Sequence, residues 1–201
     1  IQPLQGPQFG TLVLNSNGSF SYVPQANFAG IDSFSYHVFD GVLTSLLPAT
    51  VMLQVNPIND TPIFSIPASV DVLEDQGSSI DGNGNQVQAP VKISAFATGV
   101  QAGPPGAVDE NSQDLSFNVS VKHPGFFEVL PTLVKSQADP TQWDLTFTLS
   151  KQVNRDFPNG LDNLVVVTLV DSGSGVPPNS NTSAPQTFSI HIQPVNDAPI
   201  A

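Results

Sequence analysis

The sequence predicts an all-β protein: Ig-like β-sandwich modules in tandem, the first of them partial. Three observations predict it. Apolar and polar residues alternate with a period of two in one segment after another, the mark of half-buried strands. The 15 Gly and 19 Pro among 201 residues leave few uninterrupted stretches for helices. A Pro-x-Asn-Asp-x-Pro hexapeptide occurs at 57–62 and again at 194–199, each time after a strand-like run.

Taken in order, residues 11–14 and 19–23 flank Asn17-Gly18, a pair that favours a type I′ hairpin because both residues tolerate positive φ. Phe20 and Tyr22 share one strand face. Phe34, Tyr36 and Val38 alternate with Ser33, Ser35 and His37, and Val51, Leu53 and Val55 with Thr50, Met52 and Gln54. The same pattern recurs at Leu115, Phe117, Val119 and Val121, at Leu145, Phe147 and Leu149, and at Phe188, Ile190 and Ile192. Gly30-Ile31-Asp32 opens a strand that ends at Asp40-Gly41. Gly160-Leu161-Asp162 opens one that ends at Asp171-Ser172-Gly173, one residue longer, as a bulge would make it.

These repeats divide the chain. Residues 1–58 read as the C-terminal part of one module, 59–62 as a linker, 63–197 as a complete sandwich and 198–201 as the start of the next linker. The chain opens at Ile1 and not Met, so we expect a segment of a longer protein. A half-sandwich leaves strand edges that another segment or another chain could complete.

Charge narrows the function. Seventeen acids face five bases, a net of −12, and no Lys or Arg precedes Lys92. No basic face exists to displace counterions from phosphates, so no nucleic acid is expected as partner. No apolar run approaches the ~20 residues of a spanning helix, so no membrane insertion is expected either. Cysteine is absent, which removes disulfides and thiolate chemistry. Clustered carboxylates instead suit a hard cation such as Ca²⁺, whose binding to the folded state alone would add stability.

The stretches Gly10 to Pro24, Asn27 to Tyr36 and Phe39-Asp40-Gly41 resemble the bacterial cadherin-like (VCBS-type) tandem repeats of large secreted surface proteins and adhesins. Val72 to Asp75, Phe96 to Gly99, Ala102-Gly103-Pro104, Leu115 to Val119 and Ser183 to Ile190 are similar to a longer relative in that group. The insert 81–88 departs from the pattern. The resemblance implies an exported string of Ig-like or cadherin-like β-sandwiches with Ca²⁺ between neighbours. Carried over, Asn59 and Asp60 form the first linker site, joined by Asp171, with Asp109 and Glu110 approaching in place of a missing pair of aspartates. Glu74 points to the opposite end, toward Asn196 and Asp197, and Asp40 faces a linker that lies outside this sequence. Independently of the resemblance, Asn and Asp between two prolines make a stiff, oxygen-rich junction.

Other motifs read more plainly. Asn59-Asp60 and Asn196-Asp197 also suit Asx turns, and Asp32 and Asp162 suit turn formation. Residues 81–92 have oxygens at loop positions one, three and five, but Gln86 and Lys92 stand where a calcium loop of the EF-hand type needs Gly and Glu. His37, His123 and His191 are scattered without close metal pairing, and His37 and His191, on the polar phase of strands, suit a solvated surface. Asp171-Ser172-Gly173 lacks the partners of a triad, so no enzymatic activity is expected. Trp143, Phe126 and Phe127 suit the core. A buried lysine among Lys92, Lys122, Lys135 and Lys151 could form an isopeptide bond.

The expected function is an extracellular structural or adhesive repeat of a bacterial surface protein, stiffened by Ca²⁺. Its partners would be neighbouring repeats of the same polypeptide, surface glycans or other copies of itself. The alternatives are a carbohydrate-binding accessory module of a secreted polysaccharide-degrading enzyme, and a strand-complemented fibre subunit.

Overall fold

The computed structural model describes residues 1–76, 78–83, 85–151 and 162–195. Its ordered elements are fifteen strands and two short 3-10 turns, with no α-helix among the described residues. None of its helical segments is long and apolar enough to cross a membrane.

Strands β1 (Gln2–Gln5), β4 (Gly30–His37) and β5 (Ala49–Val55) form one sheet in the order β1-β4-β5. Strands β2 (Gly10–Leu14) and β3 (Phe20–Pro24) form a separate antiparallel ribbon. The ribbon packs on the sheet through Phe20 and Phe34, edge to face at 5.2 Å, and Phe34 is buried. Asp32 ties the layers together. Its carboxylate accepts from the N–H of Gln8 (2.9 Å), Phe9 (2.8 Å) and Ser33 (2.8 Å) and from the Tyr22 hydroxyl (2.9 Å).

After Val55 the strands pair only with later strands among the described residues. One sheet contains β6 (Ile63–Ser65), β10 (Val91–Gln101), β12 (Phe127–Lys135) and β13 (Trp143–Leu149) in the order β12-β13-β10-β6. The other contains β7 (Ser69–Leu73), β11 (Leu115–Val121), β14 (Asp162–Asp171) and β15 (Gln186–Gln193) in the order β11-β14-β15-β7. A short ribbon joins β8 (Ser79–Ile80) to β9 (Gln86–Val87). The two large sheets form a β-sandwich, because their alternating apolar residues meet in one core. Leu145, Phe147 and Leu149 of β13 face Val165, Val167 and Leu169 of β14 and Phe188, Ile190 and Ile192 of β15, with Phe64, Val91 and Phe96 filling between. Burying each such side chain is worth about 1.5–3 kcal/mol.

Three pairings set the geometry of the sandwich ends. β14 runs antiparallel to β11 in unbroken register from Leu115↔Asp171 to Val121↔Val165. β15 runs antiparallel to β14, and β7 parallel to β15 from Ser69↔Ser189 to Leu73↔Gln193. The end of β14 at Asp171 and the end of β7 near Glu74 therefore lie at opposite poles.

Several local expectations need correction. The Asn17-Gly18 hairpin is not a two-residue type I′ turn. Leu14 pairs with Phe20, Gly18 N–H bonds Asn15 C=O (3.0 Å), Asn15 N–H bonds Ser19 C=O (2.9 Å), and only Gly18 has positive φ (91°). Asn17 is instead used through its side chain, which accepts from Ser19 N–H. His37 is half-buried, not solvated, with Nδ1 2.8 Å from the Ser45 carbonyl. Trp143 is half-buried at the core's margin and edge-on to Phe117. Asp32 is a buried strand residue joining two layers rather than a simple turn former.

Candidate functional site

The oxygen-rich end of the sandwich is built around Asn59. The residue is 9% exposed although it follows Val55 by only four positions, because loops of the sandwich close over it. Its backbone N–H donates to Asn179 Oδ1 (2.8 Å) and its carbonyl accepts from Ser180 N–H (2.9 Å). Its side-chain amide donates to Asp171 Oδ1 (3.1 Å) and to the Ser180 carbonyl (2.8 Å), and accepts from Gln113 Nε2 (2.6 Å). Gly173 makes room for it: a Cβ there would lie 1.8 Å from Asn59 Oδ1.

Asp171 is placed by the register of β14 and turned inward at its end. Its Oδ1 also accepts from Gly173 N–H (2.7 Å), while Oδ2 is buried with no hydrogen-bond partner. Glu110 arrives from the other side, on the 3-10 turn Val108–Glu110 between β10 and β11. It is only 2% exposed. One carboxylate oxygen accepts from the Asp60 N–H; the other, Oε2, is buried without a partner and lies where a Cβ on Gly103 would be. Gln113 Oε1 is a third buried oxygen left unpaired. A buried polar atom without a partner costs on the order of 1–3 kcal/mol, so three at one pole call for a physical reason.

The electrostatics agree. Burial pushes the Glu110 carboxyl above its ordinary value of 4.5, opposed by the Asp60 N–H and reinforced by the negative fields of Asp60, Asp109 and Asp171. Asp109 is exposed and borders a cavity of about 350 Å³ together with Asn59, Glu110, Gln113, Gly173 and Asn179. Asp60 and Asp109 both border a second cleft that reaches Asn27 and Phe28 of the first sheet region. The loop 104–106 also approaches that region, where Asn27 Nδ2 lies 3.4 Å from the Pro105 carbonyl.

Five of the sequence-derived site residues thus meet at one pole: Asn59, Asp60, Asp109, Glu110 and Asp171. Glu74 does not join them. At the other pole its carboxylate accepts from Val195 N–H (2.8 Å) and its own N–H bonds the Gln193 carbonyl (3.0 Å), which holds the chain as it leaves β15. Asn196 and Asp197 lie outside the described residues, as do the side chain of Asp162 and the turn before it. Among the described residues no three His, Asp or Glu side chains are gathered as a ready-made metal cluster. Sequence reasoning missed Gln113, Gly173, Asn179 and Ser180. Their contribution depends on how two separate loops, 102–114 and 172–185, fold over the linker, and no periodic signal marks that.

The remaining motifs find ordinary uses. Asp81 Oδ1 accepts from Asn83 and Asn85 N–H, an Asx turn that closes the 81–85 loop, and Asp40 does the same for Val42 and Leu43. Lys92 pairs with Asp144 at 2.8 Å but is 53% exposed, outside the dry setting an isopeptide bond requires. Ser172 Oγ accepts from Asp114 N–H.

Residues 1–56 match a family model described as a cadherin-like domain. The solved structure of mouse clustered PcdhgC3 EC1-3 is similar at a TM-score of 0.45 and 13% identity, with 90% of this chain and 50% of that one covered. This chain thus spans about half the length of that structure. No curated protein sequence matches the chain.

Proposed function

We propose, from the premise that residues 1–56 match the cadherin-like family, that the chain is an extracellular structural and adhesive segment of a large bacterial surface protein. In this reading residues 1–58 and 63–197 are successive repeats, 59–62 is the linker between them, and Ca²⁺ at the linker stiffens the pair. The observation that carries the reading is the set of buried, unpaired oxygens on Glu110, Asp171 and Gln113 packed around the linker residue Asn59.

These residues fit a hard divalent cation. Ca²⁺ takes carboxylate, amide and carbonyl oxygens together, so the donor set need not be three clustered acids. Glu110 and Asp171 would supply the charge, Gln113 and Asn59 neutral oxygens, and Asp60 and Asp109 the surrounding negative potential. Bound there, Ca²⁺ would offset the burial that chiefly raises the Glu110 carboxyl and the negative fields of Asp60, Asp109 and Asp171 that add to it. Asn59 already links the linker to the sandwich without metal, so the cation would add rigidity to a junction that has formed. Glu74, with Asn196 and Asp197, would serve the next junction in the same way.

Calorimetric titration of the chelator-treated chain with CaCl2 tests this. Saturable binding is expected, weakened at least tenfold by Asp171→Asn and by Glu110→Gln in chains that melt normally. Absence of binding by the unaltered chain up to millimolar Ca²⁺ would reduce the site to a hydrogen-bonded linker anchor.

A further inference from the structure

A second polar pocket lies beside the linker site and shares only Gln113 with the residues proposed to hold the cation. It has a volume of about 310 Å³ and is bordered by Asn111, Gln113, Asp114, Lys135, Thr141 and Trp143. Trp143 is the only tryptophan of the chain and, unlike the aromatics of the core, is only half-buried. Its indole is held edge-on to Phe117, with ring centres 5.0 Å apart and planes at 81°. Phe117 is in turn held edge-on to Phe64, so the ring is set by the core and not by solvent.

The polar border is fixed but not self-satisfied. Asp139 accepts from both the N–H (2.9 Å) and the hydroxyl (2.6 Å) of Thr141, which orients the Thr141 oxygen as a free acceptor. The backbone of Asp114 is anchored on Ser172 and that of Asn111 on the Val108 carbonyl. Asp114 and Lys135 border one pocket, yet the only ion pair within 4.0 Å among the described residues is that of Lys92 with Asp144. Asn111, Gln113, Asp114, Lys135 and Thr141 thus border one pocket together with an edge-anchored indole.

We propose that this pocket binds a neutral pyranose unit of a polysaccharide. A pyranose has an apolar C–H face and a rim of hydroxyls that both donate and accept. An indole with a ring of charged and amide groups complements both parts, since tryptophan offers a large apolar plate with little conformational cost. The volume suits one sugar ring with its flanking bonds, at the lower end of ligand-pocket sizes. Asp114 and Lys135 cancel locally, and the net charge of −12 disfavours a polyanionic glycan. The inference does not depend on calcium and goes beyond a spacer role: the repeat would itself grip a glycan.

The single tryptophan provides the readout. The whole chain is titrated with cellohexaose, xylohexaose, mannohexaose and, as the acidic comparison, an oligogalacturonate, following tryptophan emission and binding heat. Weak single-site binding at about 1 mM is close to saturation by about 10 mM. The expected result is saturable binding of at least one neutral oligosaccharide with a shift in Trp143 emission. Asn111→Ala and Asp114→Ala, both at exposed positions, weaken it at least tenfold with the melting temperature unchanged. The proposal is overturned if no neutral oligosaccharide binds by 10 mM, if only the oligogalacturonate binds, or if Asn111→Ala and Asp114→Ala bind like the unaltered chain.

Discussion

Asn59 uses its backbone and its whole side-chain amide on the loops around it, so any change that moves the amide disturbs several bonds at once. Gly173→Ala is the sharpest such change, because the new methyl would occupy the space of Asn59 Oδ1. It is expected to lower stability by about 1–3 kcal/mol in denaturant unfolding, the usual cost of overpacking. Gly125→Ala is the control, since nothing lies within 4 Å of its Cβ position. Asp32 gives a prediction in pH. Burial opposes its ionisation, but the N–H groups of Gln8, Phe9 and Ser33 and the Tyr22 hydroxyl outweigh this and hold the carboxyl below its ordinary value of 3.8. A carboxyl lowered on folding contributes stability that is complete above that ordinary value and is lost as pH falls through the lowered one. Protection of the β2–β3 ribbon against hydrogen exchange should therefore fall at the acid end. Asp32→Asn should reduce it at neutral pH and flatten its acid dependence.

Elements were legible where one rule dominated. The period-two runs at 115–121, 145–149 and 188–192 correspond to β11, β13 and β15, and their apolar phase is the phase that faces the core. The Gly-x-Asp opening at 30–32 corresponds to the start of β4, which pairs with β5; of its counterpart only Asp162, the first residue of β14, lies among the described residues. Legibility failed where side chains override local preference. Asn17 bonds through its own amide, so the hairpin adopts a longer turn than Asn-Gly favours. Ala95, at φ 55°, sits in an irregular stretch of β10 where its N–H donates to Asp144 at 3.0 Å, a tertiary constraint with no trace in a propensity. The site was half legible for the same reason. Acids near a linker can be read from sequence, whereas Gln113 and Asn179 become relevant only once their loops meet. The core makes the element-scale prediction: Leu145→Ala, at a fully buried position shared by both sheets, should cost about 2–5 kcal/mol in urea unfolding. Leu130→Ala, on the half-exposed edge strand β12, should cost far less.

At the scale of the molecule, the junction is a place where two physical effects meet. Hydrogen bonds through Asn59 fasten the linker to the sandwich, and uncompensated carboxylate charge collects at the same pole. The first makes a defined junction without metal, and in the proposed reading the second makes that junction responsive to a cation. In the proposed reading the chain without metal is folded but flexes between residue 55 and the anchored Asn59, and the chain with Ca²⁺ behaves as one stiff rod. The direct test is a thermal melt paired with solution X-ray scattering, in EDTA and in millimolar Ca²⁺. A ligand at 100 times its dissociation constant adds about 2.7 kcal/mol. The account predicts a melting temperature several degrees higher and a longer, narrower distance distribution in Ca²⁺. Identical melts and identical scattering in the two samples would contradict it.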